Sequence, residues 1–275
     1  MPELPEVETV MRGLEPAMLN QVIQKVSLHR QSLRVPIPAN FKETVEGSKV
    51  IKMIRRGKYI VAHMNNDHSF VLHLGMSGRI LIDHEGKDEK PGKHDHVVFH
   101  IKSKTNVIFN DPRRFGMLIL VPTASWESDK VFAKMGPEPL GNHFNAPYLK
   151  DRLKGMKSSI KAALLDQHVV SGVGNIYACE ALFEAGIHPE REAGSISAAR
   201  IEKLVPAVRQ VLNKAIKAGG SSLRDYRQTD GTLGYFQHHF SVYDCEGKPC
   251  PHCGTHIKRI VQSGRSTFFC PKEQK

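Results

Sequence analysis

The hydrophobic period of this chain changes once, at Gly136-Pro137-Glu138-Pro139-Leu140-Gly141, and that change limits the possible folds more than any other feature. Before it, β-branched and aromatic residues come in short runs at 22–28, 50–54, 59–64, 70–74, 79–82, 96–100, 107–110 and 117–121. Turn residues separate them, as in Asn65-Asn66-Asp67 and Lys102-Ser103-Lys104-Thr105. Short, regularly spaced runs of this kind predict antiparallel strands in a sandwich or barrel, with the Gly- and Lys-rich stretch 84–93 as an exposed loop. Beyond the change the spacing turns helical, at 147–154, 158–167, 176–185 and 198–218. The last segment carries Ile201, Leu204, Val205, Val208, Leu212, Ala215 and Ile216 on one stripe and stops at Gly219-Gly220. Pro206 inside it predicts a kink or a later start. The expected fold is α+β and multidomain: residues 1–135 as a sandwich with flanking helices, 136–145 as a linker, 146–240 as a helical domain and 241–275 as a hairpin.

The opening stretch Met1-Pro2-Glu3-Leu4-Pro5-Glu6-Val7-Glu8-Thr9-Val10 reads in two compatible ways. As structure it starts a helix: Pro5 suits the first turn, Glu3, Glu6 and Glu8 complement the helix dipole, and Val7, Val10, Met11, Leu14 and Met18 share a face. As chemistry it offers a nucleophile. Trimming of Met1 leaves the Pro2 ring nitrogen as a free secondary amine, and attack on a sugar carbon that behaves as a masked aldehyde gives a cationic iminium. Glu3, next in the chain, is then placed as general acid or base.

An excess of Lys and Arg over Asp and Glu, 39 to 28, gives a net charge of +11 and points to a polyanionic partner. The acidic N-terminus lacks a secretory pattern and no apolar run approaches a membrane span, so a soluble, cytoplasmic protein without membrane contact is expected. Three of the five cysteines follow residue 249, which suits a metal knuckle better than a disulfide framework.

Several motifs add binding chemistry, each with a plainer structural reading. Lys58 follows Arg55-Arg56-Gly57 at a strand start and suits a phosphate or the amine, or simply a solvated strand end. Met76 lies between Gly75 and Gly78 and suits a wedge between base steps, or a core filler. Asp111-Pro112-Arg113-Arg114-Phe115-Gly116 joins guanidinium groups to an aromatic ring, a mixture fit for insertion into a base stack. Gly172-Val173-Gly174-Asn175 suits a phosphate at a helix N-terminus, or an Asn-capped turn. Cys250-Pro251-His252-Cys253 and Cys270-Pro271-Lys272-Glu273 frame a hairpin with the spacing of a four-cysteine zinc site, except that Glu273 takes the fourth position. Cys245 and His256 are less well-placed substitutes, and a metal-free hairpin held by packing is the alternative. Gly264-Arg265-Ser266 forms the expected tip.

Together these stretches resemble the bacterial formamidopyrimidine-DNA glycosylase family over nearly the whole chain. The motifs that carry the resemblance are Pro2 to Val10, Arg56-Gly57-Lys58, His73 to Arg79, Asn110 to Gly116, Leu164 to Cys179, Gly219 to Tyr226 and Gly264 to Cys270. The resemblance implies an N-terminal β-sandwich, a helix-two-turn-helix domain and a zinc hairpin. It further implies a bifunctional glycosylase and abasic-site lyase that removes oxidised purines from double-stranded DNA as a monomer. It makes Pro2 the nucleophile and Glu3 the acid that opens the deoxyribose ring, with Glu6, Lys58 and Arg265 also catalytic. Met76, Arg113 and Phe115 match the residues that fill the gap left by an extruded nucleotide, Arg113 facing the orphaned cytosine. His94, Asn175, Lys161 and Arg265 match further DNA contacts, and 221–235 matches the loop over the everted base. One structural Zn²⁺ is implied, with Cys250, Cys253, Cys270 and, in place of a fourth cysteine, Glu273. The sister endonuclease VIII branch and a zinc-hairpin DNA-binding protein without catalysis are the rival readings.

Overall fold

The computed structural model describes residues 2–85, 91–222, 229 and 231–275, so Met1, the centre of the stretch 84–93, and 223–228 and 230 within the stretch 221–235 lie outside the described residues. Two compact units divide the chain: Met1–Ala133 with Ala218–Tyr235, and Lys134–Lys217 with Phe236–Lys275.

The first unit opens with helix α1 (Leu4–Met18), entered through Pro5 and buried along Leu4, Val7, Val10, Leu14 and Met18. Strand β1 (Ile23–Leu28) and the short helix α2 (Phe41–Val45) follow, then β2 (Val50–Arg56), β3 (Tyr59–Met64), β4 (His68–His73), β5 (Arg79–Asp83), β6 (Asp95–Ile101), β7 (Asn106–Asn110) and β8 (Met117–Pro122). These strands form two antiparallel four-stranded sheets in the orders β1-β6-β7-β5 and β2-β3-β4-β8. One core fills the space between them, contributed by α1, by Ile60, Ala62, Phe70 and Leu72 of one sheet, and by Val97, Phe99, Val107 and Phe109 of the other. Its centre is aromatic: Phe70 stacks on Phe99 at 5.3 Å, and Phe41 meets both rings edge-on. The expected sandwich therefore stands, with all eight runs as strands. Helix α2 has no counterpart in the sequence reading, because five residues with one large apolar side chain are too short to show a period.

The second unit holds α3 (Ala146–Leu153), α4 (Ile160–Leu165), α5 (Asn175–Glu184), α6 (Ala198–Lys217) and a hairpin of β9 (Lys258–Gln262) and β10 (Arg265–Phe269). Asn145 caps α3 by accepting the Tyr148 N–H, and Ser159 caps α4 by accepting that of Ala162. Gln167 shapes the two turns between α4 and α5: its amide donates to the carbonyls of Leu165 and Val173, and its oxygen accepts the Gly172 N–H at 2.7 Å. Helix α6 runs from Ala198 through Pro206 to Lys217, so the later start does not occur. Proline removes one N–H there, while the buried stripe from Ile201 to Ala215 holds the helix together. The stretch 136–145 is tied into this unit, because the Arg209 guanidinium donates to the carbonyls of Pro139, Gly141 and Phe144.

No helix among the described residues is long and apolar enough to cross a membrane.

Candidate functional site

Pro2 and Glu3 are both buried at the head of α1. Glu6, one turn on, holds that head in place: its Oε2 accepts the Glu3 N–H at 2.7 Å and its Oε1 accepts the Ser221 N–H at 2.8 Å. One buried carboxylate thus ties the chain start to the returning segment Ala218–Tyr235, which belongs to the same unit. This explains why that segment packs with the sandwich although the sequence groups it with the helices.

The turn between β2 and β3 carries Gly57 in the left-handed region, followed by Lys58, only 7 % exposed. Helix α1 reaches this turn through an ion pair. Arg55 Nε donates to Glu8 Oε2 at 2.7 Å, with both side chains largely buried, and another Arg55 nitrogen donates to the Gly57 carbonyl. On the neighbouring strand, His73 pairs with Tyr59 across the sheet and packs against its ring at 4.6 Å. Its Nδ1 accepts the Gly75 N–H at 3.0 Å, which requires the lone pair there and leaves any ring proton on Nε2. Burial, then the charges of Lys58 and Arg34, push its pKa down to about 4. His73 is therefore a neutral strut under the turn that presents Met76.

A pH dependence follows from that depressed pKa. Above the ordinary value of 6.5 both folded and unfolded chains carry a neutral His73. As pH falls below it, the unfolded chain takes up a proton that the folded chain refuses until about 4. Stability should fall by roughly 3 kcal/mol across that window. Urea unfolding at pH ~7 and ~4.5 should show this drop in the native chain and a smaller one in His73→Gln. Equal drops in both proteins would refute it.

Met76 and Phe115 are 37 % and 45 % exposed, unusual for residues of their size, and Arg113 lies over the Phe115 ring at 5.0 Å. The two loops that carry them touch through backbone: Gly75 has φ +65, and a side chain there would run into the Phe115 carbonyl. His94 stands nearby in the chain path, its carbonyl accepting the Asp111 N–H at 3.0 Å. Met76, His94, Arg113 and Phe115 are thus brought onto linked loops of one unit.

In the second unit Asn175 opens α5 and gives one amide hydrogen to the Ser266 carbonyl at 2.9 Å. Arg265 is exposed, but it is the first residue of β10, paired with Gln262. The tip is Ser263-Gly264, both with positive φ, as a two-residue hairpin turn demands. Lys161 needs correction as a DNA contact. It is 1 % exposed, and its ammonium donates to Thr267 Oγ1 at 2.6 Å and to the Ser266 carbonyl at 3.2 Å. It fastens α4 to the hairpin from inside the unit and does not present its charge to a phosphate.

Cys250, Cys253 and Cys270 place their sulfurs within 4.8 Å of one another, and Cys253 and Cys270 are 3.5 Å apart. Backbone N–H groups of Lys272 and Glu273 point at the Cys270 sulfur, and that of Thr255 at Cys253. Three soft donors with N–H support, over an apolar floor of Phe183, Val242, Ile257 and Phe268, fit one structural zinc ion. Among the described residues the carboxylate of Glu273 is not part of this group. The end of the hairpin is fixed by Gln274 instead, which accepts the Cys270 N–H at 2.8 Å and donates to the Ile187 carbonyl at 2.9 Å. Upstream, the buried carboxylate of Glu180 accepts the N–H groups of Ser241, Val242 and Tyr243, the three residues that lead into the metal region. Burial pushes its pKa up against the pull of those three donors.

Residues 1–118 match the family model for the formamidopyrimidine-DNA glycosylase N-terminal domain, 135–227 that for the H2TH domain of the same family, and 247–272 that for the zinc finger found in FPG and IleRS. The formamidopyrimidine-DNA glycosylase of Dinoroseobacter shibae is 54 % identical, with 100 % of both chains covered. That of Cereibacter sphaeroides is 53 % identical at the same coverage. Among solved structures, a Lactococcus lactis FPG mutant in complex with a Fapy-dG containing DNA superposes with a TM-score of 0.92 at 34 % identity, covering 100 % of both chains. The MutM (Fpg) protein of Thermus thermophilus gives 0.88 at 40 % identity, covering 99 % of this chain and 98 % of its own. A MutM in complex with carbocyclic 8-oxo-G containing DNA gives 0.90 at 35 % identity and full coverage of both.

Proposed function

Because this chain belongs to the formamidopyrimidine-DNA glycosylase family, we propose that it acts on damaged duplex DNA as both a glycosylase and an abasic-site lyase, excising oxidised purines such as 8-oxoguanine and formamidopyrimidines. The observation that carries this reading is the buried Pro2-Glu3 pair at the head of α1, where one oxygen of Glu6 takes the Glu3 N–H and the other ties the site to Ser221. The bond to the Glu3 N–H is the capping box of an ordinary helix start, but the second bond, across to Ser221, is not, and a nucleophile must be held in one geometry.

The reaction begins with extrusion of the damaged nucleotide, which costs a few kcal/mol and favours weakened pairs. Met76, Arg113 and Phe115 fill the space left behind, with Arg113 towards the orphaned cytosine. The Pro2 nitrogen, freed by loss of Met1, attacks C1′. The base departs with the electron pair of the glycosidic bond and takes up the proton that the Pro2 nitrogen gives up. Glu3 gives a proton to the sugar ring oxygen as its bond to C1′ breaks, leaving an iminium between Pro2 and the opened sugar. The iminium draws electrons from C2′. Loss of the C2′ proton expels the 3′ phosphate, and a second elimination expels the 5′ phosphate, so the strand is left with a one-nucleotide gap bounded by phosphates.

Lys58 and Arg265 hold the phosphates flanking the lesion, with His94 and Asn175 as further DNA contacts. The zinc ion keeps the hairpin ordered and takes no part in the chemical steps. The protein works as a monomer in the cytoplasm, on chromosomal DNA.

Cleavage of end-labelled duplexes tests this reading. Rapid nicking at 8-oxoguanine opposite cytosine, with phosphate on both ends of the gap, is expected. Faster nicking at thymine glycol would move the chain to the endonuclease VIII branch. Binding without nicking at either lesion would leave a DNA-binding protein that lacks catalysis.

A further inference from the structure

Asp111 is fully buried, and nothing in the reaction above uses it. A buried carboxyl group is costly unless its oxygens find donors, so the identity of the donors shows what it is for. Its Oδ1 accepts the hydroxyl of Ser77, the residue after Met76, at 2.7 Å. Ser77 Oγ in turn accepts the backbone N–H of Arg113 at 3.2 Å. The other oxygen, Oδ2, accepts the N–H of Gly116, the residue after Phe115, at 2.7 Å. The main chain of Asp111 extends the pattern. Its N–H donates to the His94 carbonyl, and its carbonyl receives His96 Nε2 at 2.7 Å and the Arg114 N–H at 3.2 Å.

Met76, His94, Arg113 and Phe115 come from three separate stretches of sequence, and each side chain stands on a turn. Turns left to themselves move independently, and ordering them on DNA would cost affinity. Here one side chain and one backbone position join all three. Arg114, with φ +59, is held in a conformation that few residues adopt unaided, immediately between the two inserted side chains.

We propose that Asp111, with Ser77, is a positioning residue that makes the Met76 turn and the Arg113–Phe115 loop a single preassembled insert. Its loss weakens the filling of the duplex and recognition of the opposite base while sparing the amine chemistry at Pro2. This rests on the role given above to Met76, Arg113 and Phe115.

The test uses the full-length protein in two variants, Asp111→Asn and Ser77→Ala, both checked for native unfolding midpoints. Asn at position 111 turns one acceptor oxygen into an NH₂ group that faces a donor. Ser77→Ala removes the bridge and leaves the carboxylate, so a folded variant remains if the first collapses. Three quantities are read: single-turnover excision of 8-oxoguanine opposite cytosine, cleavage at a preformed abasic site in single-stranded DNA, and fluorescence of a base analogue opposite the lesion.

Excision should fall about 10- to 100-fold, the scale of a buried donor left unmatched. The fluorescence change that marks insertion should shrink with it, and single-strand abasic cleavage should stay within about threefold, since no orphaned base has to be filled there. Parallel loss of both activities, or an unchanged insertion signal in both folded variants, would overturn the proposal. Failure of the native chain to nick 8-oxoguanine at all would instead overturn the glycosylase reading, and the fluorescence arm would still decide whether Asp111 organises the insert.

Discussion

Borohydride treatment of the native protein on a duplex carrying 8-oxoguanine opposite cytosine is expected to leave a stable covalent adduct, and a chain blocked at its N-terminus is expected to leave none. The secondary amine of Pro2 makes this the largest effect available. Condensation of such an amine with an aldehyde carbon has no neutral imine to stop at, so the product is a cation that borohydride reduces. Pro2→Gly replaces it with a primary amine, whose imine must first gain a proton, and the adduct should fall sharply. Glu3→Gln separates the two steps. It should lower base excision by about 10²- to 10⁴-fold, the usual contribution of a positioned acid, while a preformed abasic site still traps. Mass measurement of the N-terminus must accompany each protein, because Met1 converts the amine to an amide. An adduct that persists in the blocked chain would place the nucleophile elsewhere, with the buried Lys58 as the first residue to replace.

The second large effect concerns the metal. A structural zinc ion bound by four protein ligands contributes about 10–16 kcal/mol, so one ligand is worth roughly 3 kcal/mol, or on the order of 10²-fold in affinity. Cys250, Cys253 and Cys270 supply three, and Glu273 does not stand with them. Glu273→Cys is therefore expected to hold zinc on the order of 10²-fold more tightly in competition with a chromogenic chelator. Duplex affinity should rise wherever the native protein is only partly loaded. A native chain that keeps one zinc ion per molecule through mild chelation would sink this expectation. The apo hairpin should not come adrift altogether, since Lys161, Asn175, Gln262 and Gln274 each bond it to the helical part of the unit. Lys161→Met should remove one of these four supports, visible as a larger fall in unfolding midpoint on zinc removal than the native chain shows.

The strands and most helices were legible because burial imposes a period on neighbouring residues. Val107, Ile108 and Phe109 form a β-branched and aromatic run between two asparagines, and that composition is written in the chain, although only the structure shows that Val107 and Phe109 are the buried pair. The candidate nucleophile was legible for a different reason, since a proline at position 2 is rare chemistry in a short motif. The resemblance assigned the wedge residues Met76, Arg113 and Phe115, and their exposure suits that assignment. What could not be read are the pairings that depend on tertiary distance. Nothing near Ser77 announces Asp111, 34 residues on, and nothing near Glu6 announces Ser221, 215 residues on. The burial of Lys161, which the resemblance gave as a DNA contact, was hidden for the same reason, because its partners lie about a hundred residues on in the hairpin.

The hydrogen bond between Glu6 and Ser221 has a consequence for biosynthesis. The ribosome delivers Glu6 near the start and Ser221 only 215 residues later. At about 5–20 residues per second, that separation leaves the nascent N-terminus waiting for roughly 10–40 s before its last backbone donor is made. An aminopeptidase that trimmed Met1 during translation, as the proposed mechanism requires, would work on a terminus whose own unit is still incomplete. Under the proposed mechanism, translation would order removal of the methionine before closure of the site, so that the amine would meet its processing enzyme before it is enclosed for its substrate.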